Sequence, residues 1–285
     1  MKYRVHLIYL AVTSLDNEIS PFIDGRGTSV FHKNQKFAFL RNRRLVGIGL
    51  NNSDVYNSER SRSSGREQLA EVSVFLFLVV PSMILSFFAF KQGTLSFVLV
   101  AFATILRDLS LVALILFFLW RNAESIYSIG WTFKKRLNDV ALAIVFFIPF
   151  SLGIGLIENL LRSAGLSAQS KPLPSFLTAK GPAEYLLAVL LVGIVALAEE
   201  TIFRGYLILR LRAVTASPAL AALLSAALFS LGHGYEGSAG VITVGVMGLV
   251  FALIYLWRQS LITPMVMHFL QDFIGIVLLP LLGKG

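Results

Sequence analysis

The chain of 285 residues contains no cysteine. This absence excludes disulfides, thiolate zinc sites and a cysteine nucleophile. Charge is also scarce, because only 14% of the residues are Asp, Glu, Lys or Arg, whereas soluble globular domains contain about 25%. The chain has no internal repeat, which argues against an inverted-repeat transporter. It also has no basic helix interleaved with aromatic residues outside its apolar segments, so we expect no nucleic-acid partner.

Hydrophobic residues make up 56% of the chain and occur in long blocks. A block of about 20 apolar residues crosses a bilayer as a helix. The sequence therefore predicts an all-α, polytopic transmembrane helix bundle that contacts the lipid bilayer. About seven spans (six to eight) are expected, at residues 72–90, 95–120, 140–157, 185–212, 219–232, 239–257 and 262–282.

Three parts of the chain differ in character. Residues 1–71 are polar and basic and are predicted to form a poorly ordered tail. Residues 72–182 hold the first three spans and their connecting loops, and residues 183–285 hold the core helices. Lys and Arg, which give the chain a formal charge of +9, collect in the tail and in alternate loops. The positive-inside rule then places the N-terminus in the cytoplasm, with the protein in the cell membrane.

The charged pair Arg107-Asp108 interrupts the second apolar block. It forms either an ion pair inside one tilted helix or the edge of a shorter span that begins near Leu109. We favour the second interpretation, in which the pair marks a helix boundary.

The doublet Glu199-Glu200 closes a long apolar run and is followed by Arg204. Residues four apart share a helix face, so Glu200 is expected to pair with Arg204. Glu199 is rotated by about 100° and lacks that partner. An unpaired carboxylate in a low-dielectric site holds a proton more readily than one in water, as a general base near neutral pH requires. Alternatively, the cluster marks the interfacial end of a shorter helix.

Two of the four histidines, His233 and His268, lie in the apolar part of the chain, and Asp272 shares a helix face with His268. Taken alone, His233 could be a histidine at a helix end near water, and His268 could make a structural hydrogen bond with Asp272. Ionisable groups inside a membrane usually face one another, however. If Glu199 joins them, the four groups can activate water and stabilise an oxyanion.

Three motifs together resemble a known family, the CPBP or Abi intramembrane proteases, which include the type II CAAX prenyl endopeptidases. The motifs are Glu199-Glu200-x-x-x-Arg204, Phe229-x-x-x-His233 and His268-x-x-x-Asp272. The resemblance covers roughly residues 184–280. It implies a multi-helix fold with a conical cavity inside the membrane, and an endopeptidase that cleaves a membrane-associated peptide or protein, with CAAX-type protein processing as one such activity.

The resemblance also assigns roles to residues. It implies that Glu199 and His233 activate water, that His268 and Asp272 stabilise the oxyanion, and that Glu200, Arg204 and Phe229 support them. The prenyl-protein enzymes of this family carry Asn where this chain has Asp272. An ionised Asp cannot donate a hydrogen bond to an oxyanion, so it is expected to orient His268 instead.

Two questions stay open at this point. Glu199, His233, His268 and Asp272 would make a plausible zinc set, whereas a glutamate and histidine mechanism needs no metal; we favour no cofactor over a divalent metal such as zinc. A non-catalytic immunity or scaffold protein of the same family, or a proton-coupled transporter, is the alternative to an enzyme.

Overall fold

The computed structural model describes residues 65–91, 96–133, 136–167 and 177–283, with the backbone alone for residues 82–91. The predicted N-terminal tail lies outside the described residues, apart from residues 65–71, which already belong to the first helix. The predicted tail boundary at residue 71 therefore falls inside a helix.

The fold is all-α, as predicted, because every regular element in the described part of the chain is helical. Seven helices follow one another: α1 Gly65–Lys91, α2 Phe97–Arg121, α3 Arg136–Ser163, α4 Gly181–Thr215, α5 Pro218–Leu231, α6 Gly237–Arg258 and α7 Ile262–Leu281. Five of them, α2, α3, α4, α6 and α7, are long and apolar enough to cross a membrane. Helix α5 is shorter, at 14 residues.

Large apolar side chains cover much of the outside of these helices. On α3, Leu137, Ile148 and Leu152 are all more than half exposed. A soluble protein rarely exposes such a continuous apolar face, whereas a bilayer solvates it. The protein is an integral membrane protein.

Local sequence signals account for where the helices begin. Ser217 caps α5, since its hydroxyl oxygen accepts a hydrogen bond from the Leu220 amide at 3.2 Å, and Pro218 occupies the first helical position, where a missing N–H costs nothing. Ser96 caps α2 in the same way through the Leu99 amide. The loop between α2 and α3 contains a 3₁₀ turn, Ile126–Ile129.

Helix α4 is continuous through the two glutamates, as predicted, and it changes its winding there. Residues Glu200–Leu207 form a π-helix between two α-helical parts, and a second π-helix, Phe273–Leu278, lies in α7. The wider turn of a π-helix is rare and is often found at functional sites.

Ion pairs of buried carboxylates join the helix ends on one side of the bundle. Glu71 at the start of α1 binds Arg121 at the end of α2 and lies 3.2 Å from Arg210 near the end of α4. Asp139 at the start of α3 binds Arg258 at the end of α6, at 2.6 Å. Successive helices therefore alternate in direction, with the ends of even-numbered helices on this side.

Arg107 and Asp108 lie in the middle of α2, not at a boundary. Arg107 donates from Nε to Oδ1 of Asp108 at 2.9 Å, and its Nη2 lies 2.8 Å from the same oxygen. The boundary interpretation is wrong because the pair neutralises itself within one helix and faces a polar group of α4, described below.

Candidate active site

The π-helical segment of α4 buries a charge pair at the centre of the bundle. Glu200 and Arg204 are both almost fully buried, and Arg204 Nη1 lies 3.0 Å from Glu200 Oε1. The guanidinium carbon lies 4.2 Å from the ring centroid of Phe229 on α5, which adds a cation–π contact. Gly248 on α6 accepts a hydrogen bond from Arg204 at 3.4 Å. This pair therefore fixes α4 against α5 and α6.

His268 on α7 lies among three carboxylates. Its Nδ1 is 2.9 Å from Glu200 Oε1, and because an ionised carboxylate only accepts, Nδ1 carries the proton. Its Nε2 lies 3.4 Å from Asp272 Oδ2 and 3.8 Å from Glu199 Oε2. Both glutamates of α4 and the aspartate of α7 therefore lie around one imidazole ring.

The two adjacent glutamates have different surroundings. The Glu200 side chain is completely buried, whereas that of Glu199 is 15% exposed. Arg204 pairs with Glu200, while the charges acting most strongly on Glu199 are those of His268 and Arg107. Among the described residues, Glu199 is therefore the carboxylate of the doublet without a direct arginine ion pair, as the helical spacing predicted.

His233 joins the site through an aromatic ring. It follows the end of α5, and its Nδ1 lies 3.1 Å from the backbone oxygen of Phe229. A carbonyl oxygen only accepts, so Nδ1 donates, which leaves the lone pair of a neutral ring on Nε2. The Phe229 ring centroid lies 4.9 Å from that of His233 and 6.0 Å from that of His268.

The predicted site residues are therefore brought together unequally. Glu199, Glu200, His268 and Asp272 make direct contacts around one imidazole ring. His233 packs beside them on Phe229 without an ion pair to Glu199 in the described structure. When its ring is protonated, its charge acts on Glu236, as does the charge of Asp272.

A cavity of about 60 Å³ lies on another side of Glu199. Its polar lining consists of Glu199 with Arg107 and Asp108 of α2, and its apolar lining comes from α1, α2 and α4: Leu78, Val79, Leu111, Ile202 and Phe203. The sequence interpretation missed the α2 pair as part of this site. Ionisable residues inside a membrane-spanning segment indicate function. This rule identified Glu199, and it applies equally to Arg107 and Asp108.

The proposed zinc ligands do not form a metal centre here. Within the described ranges, no group of three or more His, Asp and Glu side chains is arranged to hold a metal ion. His233, one of the four candidate ligands, has no ion pair with the other three among the described residues, and His268 uses Nδ1 for Glu200.

A protein-family model matches the part of the chain that carries the site. Residues 181–274 match the family model described as "Type II CAAX prenyl endopeptidase Rce1-like". The segment runs from the start of α4 into α7 and includes every predicted site residue. The resemblance that the three motifs predicted is confirmed over this segment. Searches of curated proteins and of solved structures find no match.

Proposed function

We propose that the protein is an integral membrane endopeptidase that hydrolyses a peptide bond in a membrane-associated peptide or protein, with Glu199 as the general base. One observation carries the proposal: of two adjacent intramembrane glutamates, Glu200 is neutralised by Arg204, and Glu199 is left facing His268 and a cavity that Arg107 and Asp108 also line. A general base must not already be neutralised by an ion pair, and it must lie within reach of water.

The reaction begins when the Glu199 carboxylate takes a proton from water and the water oxygen bonds to the peptide carbonyl carbon. The carbonyl oxygen becomes an oxyanion, which requires a hydrogen-bond donor. Glu199 then passes its proton to the amide nitrogen, the carbon–nitrogen bond breaks, and a carboxylic acid and an amine are released. No cofactor takes part in this sequence.

His268 is the proposed oxyanion donor. Its Nε2 lies 3.4 Å and 3.8 Å from its two carboxylate neighbours, longer than the roughly 2.9 Å of a good N–H···O bond. In the doubly protonated ring, which its three carboxylate neighbours favour, Nδ1–H donates to Glu200 and Nε2–H can donate to an oxyanion, while Asp272 holds the ring in place. Asp272 acts through His268, because an ionised aspartate has no hydrogen to donate.

His233 supplies a second acceptor for the attacking water. Its Nδ1 is held by the Phe229 carbonyl, so Nε2 can accept the hydrogen of the water that Glu199 does not take. This arrangement orients the water oxygen lone pair towards the substrate carbonyl.

The substrate class is proposed from the family match. The matched family model is named for CAAX prenyl endopeptidases, so C-terminally prenylated peptides in a bilayer are the first substrates to test. Unprenylated peptides with the same sequence, in the same vesicles, distinguish CAAX-type processing from cleavage of other membrane-bound peptides.

The test is cleavage by the purified protein in lipid vesicles, with Glu199→Gln as the variant. Loss of a general base lowers the rate by about 100- to 10,000-fold, so we expect kcat to fall by at least about 100-fold. Mass spectrometry of the peptide products measures the cleavage. Glu158→Gln is the matched control, because Glu158 forms an exposed pair with Arg162 on α3, and full activity is expected.

The same assay is repeated after treatment with a chelator, and unchanged kcat is expected. Cleavage by Glu199→Gln at the wild-type rate would overturn the proposed role of Glu199. Wild-type protein that cleaves no membrane-bound peptide would contradict the proposed function itself.

A further inference from the structure

The pair Arg107-Asp108 is costly where it lies, because charged side chains in the middle of a membrane-spanning helix are expensive unless they are paired or functional. The ion pair accounts for only one of the two carboxylate oxygens of Asp108. Both nitrogens of Arg107 that contact Asp108 meet the same oxygen, Oδ1. Oδ2 is buried, and it has no hydrogen-bond partner among the residues that the structure describes.

The unused oxygen belongs to a side chain that lines a cavity. Asp108 has a side chain only 2% exposed and lines, with Glu199, the cavity of about 60 Å³ between α1, α2 and α4. One water requires about 10–15 Å³ of such space and two or more polar partners. Two carboxylates and one guanidinium provide those partners, and the rest of the lining is apolar.

The charge of Glu199 acts on the carboxylate of Asp108 across this space. Two acceptors that face the same cavity cannot hydrogen-bond each other when both are ionised. A water molecule, with two hydrogens, satisfies both at once.

We propose that this cavity is the water-loading site of the hydrolysis, in which Asp108 Oδ2 and Glu199 together bind the water that each reaction consumes. This proposal rests on the proposed function of Glu199. Asp108 is a positioning residue, and Arg107 holds its carboxylate through Oδ1, which leaves Oδ2 to bind the water. When substrate is present, the water moves to the peptide carbonyl, Glu199 takes one proton, and His233 takes over the hydrogen bond from Asp108.

The apolar surroundings explain why a water site is needed here. A peptide carbonyl inside a bilayer is reached by very little water, so a hydrolase there needs a polar place next to its base where water is retained. The cavity provides it on the α1 and α2 side of Glu199, apart from His268.

The first test is Asp108→Asn in the vesicle cleavage assay. Asn keeps the size of the side chain, and with its oxygen on Arg107 it presents NH₂ donors to the cavity where an acceptor is required. We expect kcat to fall by about 10- to 100-fold, as for a misplaced reactant, with KM unchanged and with partial recovery in Asp108→Glu. Asp139→Asn is the matched control, since Asp139 is equally buried and pairs with Arg258 away from the cavity.

A second variant fills the cavity without touching either carboxylate. Leu111 lines it, so Leu111→Phe should lower kcat by a similar factor. Leu116→Phe on the same helix is the control, because Leu116 is 44% exposed to the bilayer side. Wild-type kcat in both Asp108→Asn and Leu111→Phe overturns the proposal, as does a loss confined to KM.

A third measurement does not depend on hydrolysis. The chain has no cysteine, so Leu111→Cys introduces a single S–H group, whose infrared stretch shifts when deuterium from D₂O replaces the hydrogen. We expect exchange to be at least tenfold faster at Leu111→Cys than at Leu116→Cys, and to slow when Asp108→Leu is added. Equal exchange at both positions overturns the water site even in a protein that cleaves nothing. If the wild type is inactive but exchange is fast and depends on Asp108, the water site stands and the proposed function fails.

Discussion

Glu200 and Arg204 neutralise each other in a part of the bundle where neither charge can reach water. Removing one partner of such a pair leaves the other charge buried and uncompensated, which costs about 3–5 kcal/mol. We therefore expect Glu200→Gln to lower the free energy of unfolding by about 3 kcal/mol, as measured by denaturant unfolding in detergent.

The control for this prediction is Glu158→Gln, in which an exposed i,i+4 pair with Arg162 is lost at a cost of about 0.5 kcal/mol or less. If Glu200→Gln is as stable as the control, the pair is not what holds α4 to α5 and α6. Catalytic loss in Glu200→Gln without loss of stability would instead assign Glu200 to the reaction.

A contact between two side chains was predictable from the sequence where both residues lie on the same helix. The four-residue spacing predicted the Glu200–Arg204 pair and the closeness of His268 to Asp272, and both contacts are present. Contacts between helices were not predictable. The hydrogen bond from His268 to Glu200 and the cavity shared by Asp108 and Glu199 depend on how α2, α4 and α7 pack, which hydropathy does not report.

The π-helical segment of α4 approaches another element closely at Gly205. A Cβ added there would lie 2.8 Å from the backbone oxygen of Ile129 in the 3₁₀ turn, closer than real Cβ contacts allow. Backbone cannot move away as a side-chain tip can, so overpacking should cost about 1–3 kcal/mol. We expect Gly205→Ala to lower the melting temperature in detergent and to reduce activity, since the segment carries Glu200 and Arg204.

Gly193 provides the matched control on the same helix. A Cβ at Gly193 meets nothing within 4 Å, and Ala is a better helix former than Gly by about 1 kcal/mol. Gly193→Ala should therefore leave the melting temperature equal or higher. An equal melting temperature for Gly205→Ala and Gly193→Ala would contradict the close contact between α4 and the 3₁₀ turn.

The position of the fourth helix was predictable, and its winding was not. Apolar periodicity predicted a fourth helix over residues 185–212, and α4 extends over Gly181–Thr215. A π-helix adds one residue to a turn without changing which residues are apolar, so no hydropathy pattern distinguishes it. Gly205 is the one local signal, and its meaning depends on Ile129, far away in sequence.

In the described part of the chain, one end of the bundle has more basic residues than the other. Arg121, Arg136, Arg210, Arg212 and Arg258 lie at or near helix ends on the side where Glu71 joins α1, α2 and α4. Among the described residues, the opposite side has Lys91 at the end of α1, Arg162 near the end of α3 and Lys180 at the start of α4. Because basic loops stay in the cytoplasm, we propose that the first side, where α1 begins, is cytoplasmic.

Labelling of single cysteines tests this orientation, because the native chain has none that would react. Ala213 near the end of α4 and Ala164 after α3 are both exposed and lie at opposite ends of the bundle. In intact cells, a membrane-impermeant maleimide should label Ala164→Cys and should label Ala213→Cys only after permeabilisation. The reverse pattern would place the basic end outside. Equal labelling of both in intact cells would contradict the alternating arrangement, since α4 connects the two ends through 35 residues and Glu199 lies at its middle, within the membrane.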